Sequence, residues 1–226
     1  MAELRGRTAA ALLAFACIGA CSSEQSDLPG PEPAAPDQEK KPDVIYVPTP
    51  QDVVDMMLHL AKVRKEDVVY DLGCGDGRVV VTAAKRYGCR ATGFDIDPDR
   101  VRESRENVRK NGVEHLARIE QKDIFTLDLS GADVVFLYLL PSLNVRLIPQ
   151  LEKLKPGSRI VSHDFDMEGC RPDAVLTMRS KEDNDREHSV YLWTVPFHRE
   201  ETDSAMHGEV WEFKMDDAEE PAARQP

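Results

Sequence analysis

Val68-Val69-Tyr70-Asp71-Leu72-Gly73-Cys74-Gly75-Asp76-Gly77-Arg78 decides the reading of the chain. A short apolar run ends in an acid, passes into three alternating glycines and leads into residues with helical apolar spacing, which reads as strand, tight turn and helix. Glycine suits such a turn because the backbone needs unusual angles and because a missing Cβ lets a ligand lie against the main chain. The spacing separates this loop from its analogues. A dinucleotide loop runs G-x-G-x-x-G, and here Arg78 stands where its third glycine would be. A phosphate-cradling P-loop needs a Gly-Lys-Ser/Thr ending, which is missing. A glycine turn without a ligand is the competing reading.

Downstream, Val79, Val80, Ala83, Ala84 and Tyr87 make one helix face that stops at Gly88. A second strand follows at Ala91 to Ile96, with Asp95 lying 22 positions after Gly73. In a strand-helix-strand unit that spacing brings a carboxylate to the end of the neighbouring strand, where it can accept hydrogen bonds from both ribose hydroxyls of a nucleoside. Asp97-Pro98 reads as a helix cap followed by proline at the first helical position. The helix to Asn111 mixes five basic residues with Glu103 and Glu106; it reads as a solvated face of charge pairs, a basic binding stripe being the alternative.

The acid followed by alternating glycines, Asp71, Gly73, Gly75 and Gly77, resembles motif I of the class I S-adenosylmethionine (SAM)-dependent methyltransferases. The resemblance spans about Tyr46 to Pro196 and implies SAM as cofactor. It puts Asp71, Gly73, Cys74, Gly75, Asp95 and Ile96 at that cofactor, Asp95 on the ribose and Ile96 against the adenine. Asp123 and Ile124 stand where the family meets the adenine amino group, although Asp123 also reads as an ordinary turn aspartate. Tyr46-Val47-Pro48-Thr49 is either a flap over the cofactor or a rigid lead-in to the first helix.

The expected fold follows from the resemblance and from the order of elements. It is an α/β, three-layer Rossmann-like arrangement, a seven-stranded mostly parallel sheet with an antiparallel edge strand. Thr49 is expected to cap a first helix with Pro50 at its first position and Asp52 completing the capping box. A third strand is expected at Arg118 to Gln121, and a fourth, apolar on both faces, from Ala132 to Leu140. A helix from Ser142 to Leu154 then precedes a fifth strand at Arg159 to Ser162. Ala174 to Ser180 and His188 to Val195 are expected to pair as an edge hairpin.

Composition limits the function classes. With 226 residues, 41% apolar, one globular domain is expected, and a net charge of −12 disfavours a surface built to grip nucleic acid. Residues 1–20 differ from the rest: Arg5 and Arg7 precede a 13-residue small and apolar run, too short to span a bilayer comfortably. The ending Ile18-Gly19-Ala20-Cys21 resembles the lipobox of bacterial lipoproteins, which implies an exported protein held at a membrane by lipid on Cys21, on the periplasmic side. A transit-type leader or a cytoplasmic protein with a misassigned start is the alternative. Residues 21–42, rich in Ser, Glu, Asp and Pro, read as a tether, 43–200 as the domain, and 201–226 as an extension with an alternating segment at 209–215. Cys74, Cys89 and Cys170 match neither a zinc spacing nor a disulfide framework.

The acceptor is less legible. The chain lacks the Asn/Asp-Pro-Pro-Tyr/Phe signature of nucleic-acid and glutamine amino-methyltransferases, having Leu137-Tyr138-Leu139-Leu140-Pro141 in its place. It also lacks the acid of metal-dependent O-methyltransferases after the fourth strand, so no metal is expected. Tyr-Val-Pro-Thr-Pro, Met57-Leu58 and the glycine loop look most like the small lysine methyltransferases of the ATP synthase c subunit and the adenine nucleotide translocase, and their bacterial relatives. That resemblance implies a protein lysine as acceptor. A small-molecule or lipid-linked acceptor, or a lipid-anchored module without turnover, remain open. Tyr138, His163 and Asp164 are the candidates to line the acceptor pocket and handle its proton, with packed-histidine and turn-aspartate roles as the competing readings.

Overall fold

The computed structural model describes residues 46–199. The leader, the tether and the segment 209–215 lie outside the described residues. Seven strands form one sheet in the order β3-β2-β1-β4-β5-β8-β7. They are β1 (Val68–Leu72), β2 (Arg90–Asp95), β3 (Ala117–Gln121), β4 (Val134–Leu137), β5 (Arg159–His163), β7 (Ala174–Ser180) and β8 (Arg186–Thr194). The first five run parallel, and β8 pairs antiparallel with both β5 and β7. A separate two-stranded ribbon joins β6 (Cys170–Arg171) to β9 (His198–Arg199).

The order reverses at β1, which has β2 on one side and β4 on the other. In open α/β sheets such a switch point opens a crevice at the carboxyl ends of the strands, and ligands bind there. Helices cover both faces: α1 (Gln51–Leu60), α2 (Arg78–Thr82) and α3 (Pro98–Lys110) on one, α4 (Pro141–Leu151) on the other. β4 shows why a central strand is apolar throughout. Val134 and Phe136 pack with Val53, Met57, Val80 and Val101, while Val135 and Leu137 pack with Leu147, Ile148 and Trp193. Each such side chain contributes about 1.5–3 kcal/mol by leaving water.

Local departures from the sequence expectations have identifiable causes. Strand β4 is shorter than Ala132 to Leu140, because Pro141 opens α4 and leaves Leu139 and Leu140 as a connector. That helix ends at Leu151 instead of Leu154. The helix after Gly77 is α-helical only to Thr82 and widens into a π-turn over Ala83–Tyr87. Thr82 Oγ1 donates to the Arg78 carbonyl at 2.7 Å, a side-chain bond that competes with the backbone ladder just before the widening. Thr49 does not cap α1, whose start has no side-chain cap. Its hydroxyl meets His163 Nδ1 at 3.2 Å instead. Asp52 is likewise drawn off, accepting from Ser180 Oγ and the Lys181 N–H in the β7–β8 turn.

Candidate active site

The glycine loop is strung between β1 and β2. The N–H groups of Gly73 and Cys74 both donate to the Phe94 carbonyl, at 2.8 and 3.0 Å. The Gly75 N–H donates to Asp95 Oδ2, and Asp95 Oδ1 accepts from the Asp97 N–H, each at 2.9 Å. Asp95 therefore builds the loop as well as facing the crevice. Gly73 and Gly75 take φ of 81° and 54°, angles that L side chains rarely adopt. A Cβ on Gly75 would stand 2.2 Å from Tyr46 Cε2, and one on Gly77 would stand 2.9 Å from Ser104 Cβ of α3. Two of the three glycines are thus explained by protein packing: Gly75 by the Tyr46 ring, Gly77 by α3.

Tyr46 to Thr49 lies across this loop, pinned by charge. Arg78 forms an ion pair with Asp76 at 2.6 Å and donates from Nη1 to the Thr49 carbonyl at 2.6 Å. Burial alone would raise the Asp76 carboxyl, but the Arg78 guanidinium holds it below the usual carboxylate range. The Arg100 guanidinium sits 4.8 Å from the centre of the Tyr46 ring, within cation–π range. The arginine that replaces a dinucleotide loop's third glycine is therefore the clamp of the flap.

Under the flap a cavity of about 530 Å³ opens at the carboxyl ends of β1, β2 and β4. That size suits a small-molecule site. Its wall brings together Tyr46, Asp71, Gly73, Cys74, Asp95, Ile96, Asp123 and Ile124. Gly75 joins them through its N–H bond to Asp95. Asp123 also caps the 3₁₀ turn Ile124–Thr126, its Oδ1 accepting from the Phe125 N–H at 3.0 Å, so it combines the turn role with a place on the wall. Burial, then the neighbouring Asp95 and Asp76 charges, push Asp71 up to about 8. Burial also raises Asp95, against the pull of its backbone donors, and raises the Cys74 thiol well above its ordinary value.

The proposed acceptor-side residues are split by the structure. Tyr138 is on the cavity wall, beside Leu139, Leu140 and Phe165. His163 is fully buried behind it, ring centroids 4.0 Å apart, and Asp164 lies behind as well, its Oδ1 accepting from the Ser189 N–H and its Oδ2 3.4 Å from His163 Nε2 and 3.0 Å from Arg186. Burial lowers His163 to about 4, leaving it neutral, and burial raises the Tyr138 phenol, with Asp164 adding to the rise. Sequence reasoning missed Arg78, Arg100 and Phe125 as wall residues. Arg78 had a signal, an arginine at a motif position reserved for glycine, whereas Arg100 was hidden among the charges of α3.

Comparison with known proteins agrees with this geometry. Residues 71–174 match the family model described as the ANTKMT methyltransferase domain. A protein-lysine N-methyltransferase of Saccharolobus islandicus is 47% identical over 160 residues, covering 70% of this chain and 98% of that protein. A lysine N-methyltransferase of the ATP synthase c subunit from Xenopus laevis is 31% identical, and the match spans 58% of each chain. The crystal structure of an RNA methyltransferase from Salinibacter ruber in complex with S-adenosylhomocysteine is similar at 46% identity and a TM-score of 0.61, covering 72% of this chain and all of that one. The chain thus belongs to the class I SAM-dependent methyltransferases that carry the ANTKMT-type domain, whose cofactor is SAM.

Proposed function

We propose that the chain transfers the methyl group of SAM to a lysine amine of a protein. The observation that carries this reading is the 47% identity to a protein-lysine N-methyltransferase across nearly all of that protein. On this reading the cofactor supplies an electrophilic methyl on a sulfonium, and the protein's task is alignment and delivery of an uncharged nucleophile. Asp95 holds the ribose, Ile96 lies against the adenine with Asp123 and Ile124 at its edge, and the loop from Gly73 to Gly75 receives the rest, with Asp71 beneath.

A lysine amine has a reference pKa near 10.4, so freeing it of its proton at pH 7 costs about 4–5 kcal/mol. The apolar wall of Leu139, Leu140, Phe165 and Tyr138 offsets part of that by desolvating the ammonium. Tyr138, kept as a neutral phenol, offers a lone pair to orient the amine; His163 and Asp164 act from behind, as positioning residues for Tyr138.

The Salinibacter relative, whose name carries RNA, motivates the second reading. The net charge of −12 suits a cationic amine better than phosphates. Incubation of the purified protein and methyl-labelled SAM with cell extract, followed by separation of protein, RNA and small molecules, tests both. Methyl-lysine in hydrolysed protein is expected, and label confined to RNA, lipid or small molecules would refute the proposal.

We further infer from the leader that the domain is held at a membrane by lipid on Cys21, the arginines, apolar run and small-small-Cys ending occurring in signal-peptide order. Among the described residues no helix is long and apolar enough to cross a membrane.

A further inference from the structure

We propose that His163, Asp164 and His188 form a site for one divalent transition-metal ion of the zinc type, at the seam between β5 and β8 behind the Tyr138 wall. The methyl-transfer reading asks of His163 and Asp164 only that they steady Tyr138, and the metal site stands whether or not the acceptor is lysine. Three donor atoms converge there. His163 Nε2 and His188 Nδ1 are 2.9 Å apart, and Asp164 Oδ2 is 3.4 Å from each. Ligands at zinc–nitrogen and zinc–oxygen distances of about 2.0–2.2 Å in tetrahedral array lie roughly 3.4 Å from one another. Two of the three separations already have that value, and the third needs to open by about half an ångström. Two imidazoles and one carboxylate are the donor set of open zinc and non-haem iron sites, which leave a further position to water.

The surroundings match what a ligating set requires. A metal-bound histidine usually gives its second ring nitrogen to a carboxylate, carbonyl or hydroxyl, which fixes the ring. His188 Nε2 lies 3.3 Å from Asp183 Oδ2 and makes no hydrogen bond among the described residues, and His163 Nδ1 lies 3.2 Å from Thr49 Oγ1. Asp164 is held by two bonds to Ser189, backbone N–H to carbonyl at 2.7 Å and Oδ1 from N–H at 3.0 Å. It takes φ of 58°, uncommon for a residue with a side chain. Both rings are buried, at 0 and 1% exposure.

Among the described residues the positive charge that meets this cluster is Arg186, 3.0 Å from Asp164 Oδ2 and 3.6 Å from Asp183 Oδ2 on a half-exposed side chain. It neutralises the carboxylates from outside and competes with an ion held inside.

The test uses the full chain, stripped with chelator and titrated with ZnCl2 by calorimetry, with metal content measured after gel filtration. One bound equivalent is expected. Asp164→Asn keeps the left-handed backbone and the Ser189 bonds but removes the charge, and His188→Gln removes a donor. Each is expected to weaken zinc at least 100-fold while S-adenosylhomocysteine binding, measured on the same samples, shows the domain is folded. Asp183→Asn is expected to weaken zinc about 10- to 100-fold through the ring it steadies, and Arg186→Gln to tighten it. A wild type that takes up no zinc, or uptake unchanged in Asp164→Asn, would overturn the proposal and leave the pair as a hydrogen-bonded strut. If His188→Gln does not fold, Asp164→Asn and Arg186→Gln decide the matter by moving affinity in opposite directions.

Discussion

The Tyr46 ring lies directly on Gly75: a single methyl added to that glycine would stand 2.2 Å from ring carbon Cε2. The first glycine after the motif's centre is therefore small for the sake of an aromatic flap.

Gly75→Ala is accordingly expected to fail twice, through a left-handed φ of 54° and through collision with Tyr46. The backbone part costs on the order of 1–2 kcal/mol. Tyr46→Ala removes the collision alone. In a double-mutant cycle read by thermal unfolding and by S-adenosylhomocysteine affinity, Gly75→Ala should cost less in the Tyr46→Ala background. Strict additivity would show that the flap does not rest on the glycine in solution.

Asp95 has a structural share that its motif position does not announce. It accepts from the Gly75 and Asp97 N–H groups. Asp95→Ala is expected to lower apoprotein stability by about 1–3 kcal/mol, the cost of stranding those donors, and also to abolish measurable cofactor binding. Asp95→Asn keeps one acceptor oxygen and sets an amide NH2 against the other N–H, so it should cost part of that stability and weaken S-adenosylhomocysteine at least tenfold. Unchanged affinity in Asp95→Asn would remove the ribose role.

This is also where the sequence was most and least informative. The strand-glycine-helix unit, the 22-residue step to Asp95 and the two-faced apolar strand β4 are local patterns, and each appears in the fold with the expected neighbours. Thr49 and Asp52 had strong capping spacing and were claimed by partners more than 100 residues away, His163 and Ser180. Likewise His188 lies 25 positions from His163, joined to it only by the pairing of β8 with β5. Tertiary competition for a polar group leaves no trace in local spacing, so the polar seam behind Tyr138 was illegible while the apolar frame was not.

Asp71 yields a pH prediction. Its pKa rises from 3.8 to about 8 in the folded apoprotein, chiefly by burial and then by Asp95 and Asp76. A raised carboxyl contributes stability that is full below the unfolded value and is lost as pH rises through the folded one. Apoprotein stability should therefore decline between about pH 4 and pH 8, and Asp71→Asn should flatten that decline. The sulfonium and ammonium of SAM favour the ionised carboxylate, so binding at pH 7 should release about one proton. Calorimetry in buffers of different ionisation enthalpy reads this directly. A buffer-independent heat, or the same release from Asp71→Asn, would show that Asp71 does not meet the cofactor's charge.

The last prediction concerns where the enzyme works, and here two properties of one chain pull apart. The leader proposes export and lipid on Cys21, while the cofactor is a cytosolic metabolite and the buried Cys74 and Cys89 are free thiols. One fatty chain anchors a protein only marginally, whereas the several chains of a bacterial lipoprotein hold it firmly. Cys21→Ala is expected to move the protein from the membrane to the soluble fraction, with mass analysis of the wild type showing a lipidated N-terminal cysteine. An unprocessed Met1 terminus in the soluble cytosolic fraction of wild-type cells would refute the anchor, and would leave the methyltransferase beside its supply of SAM.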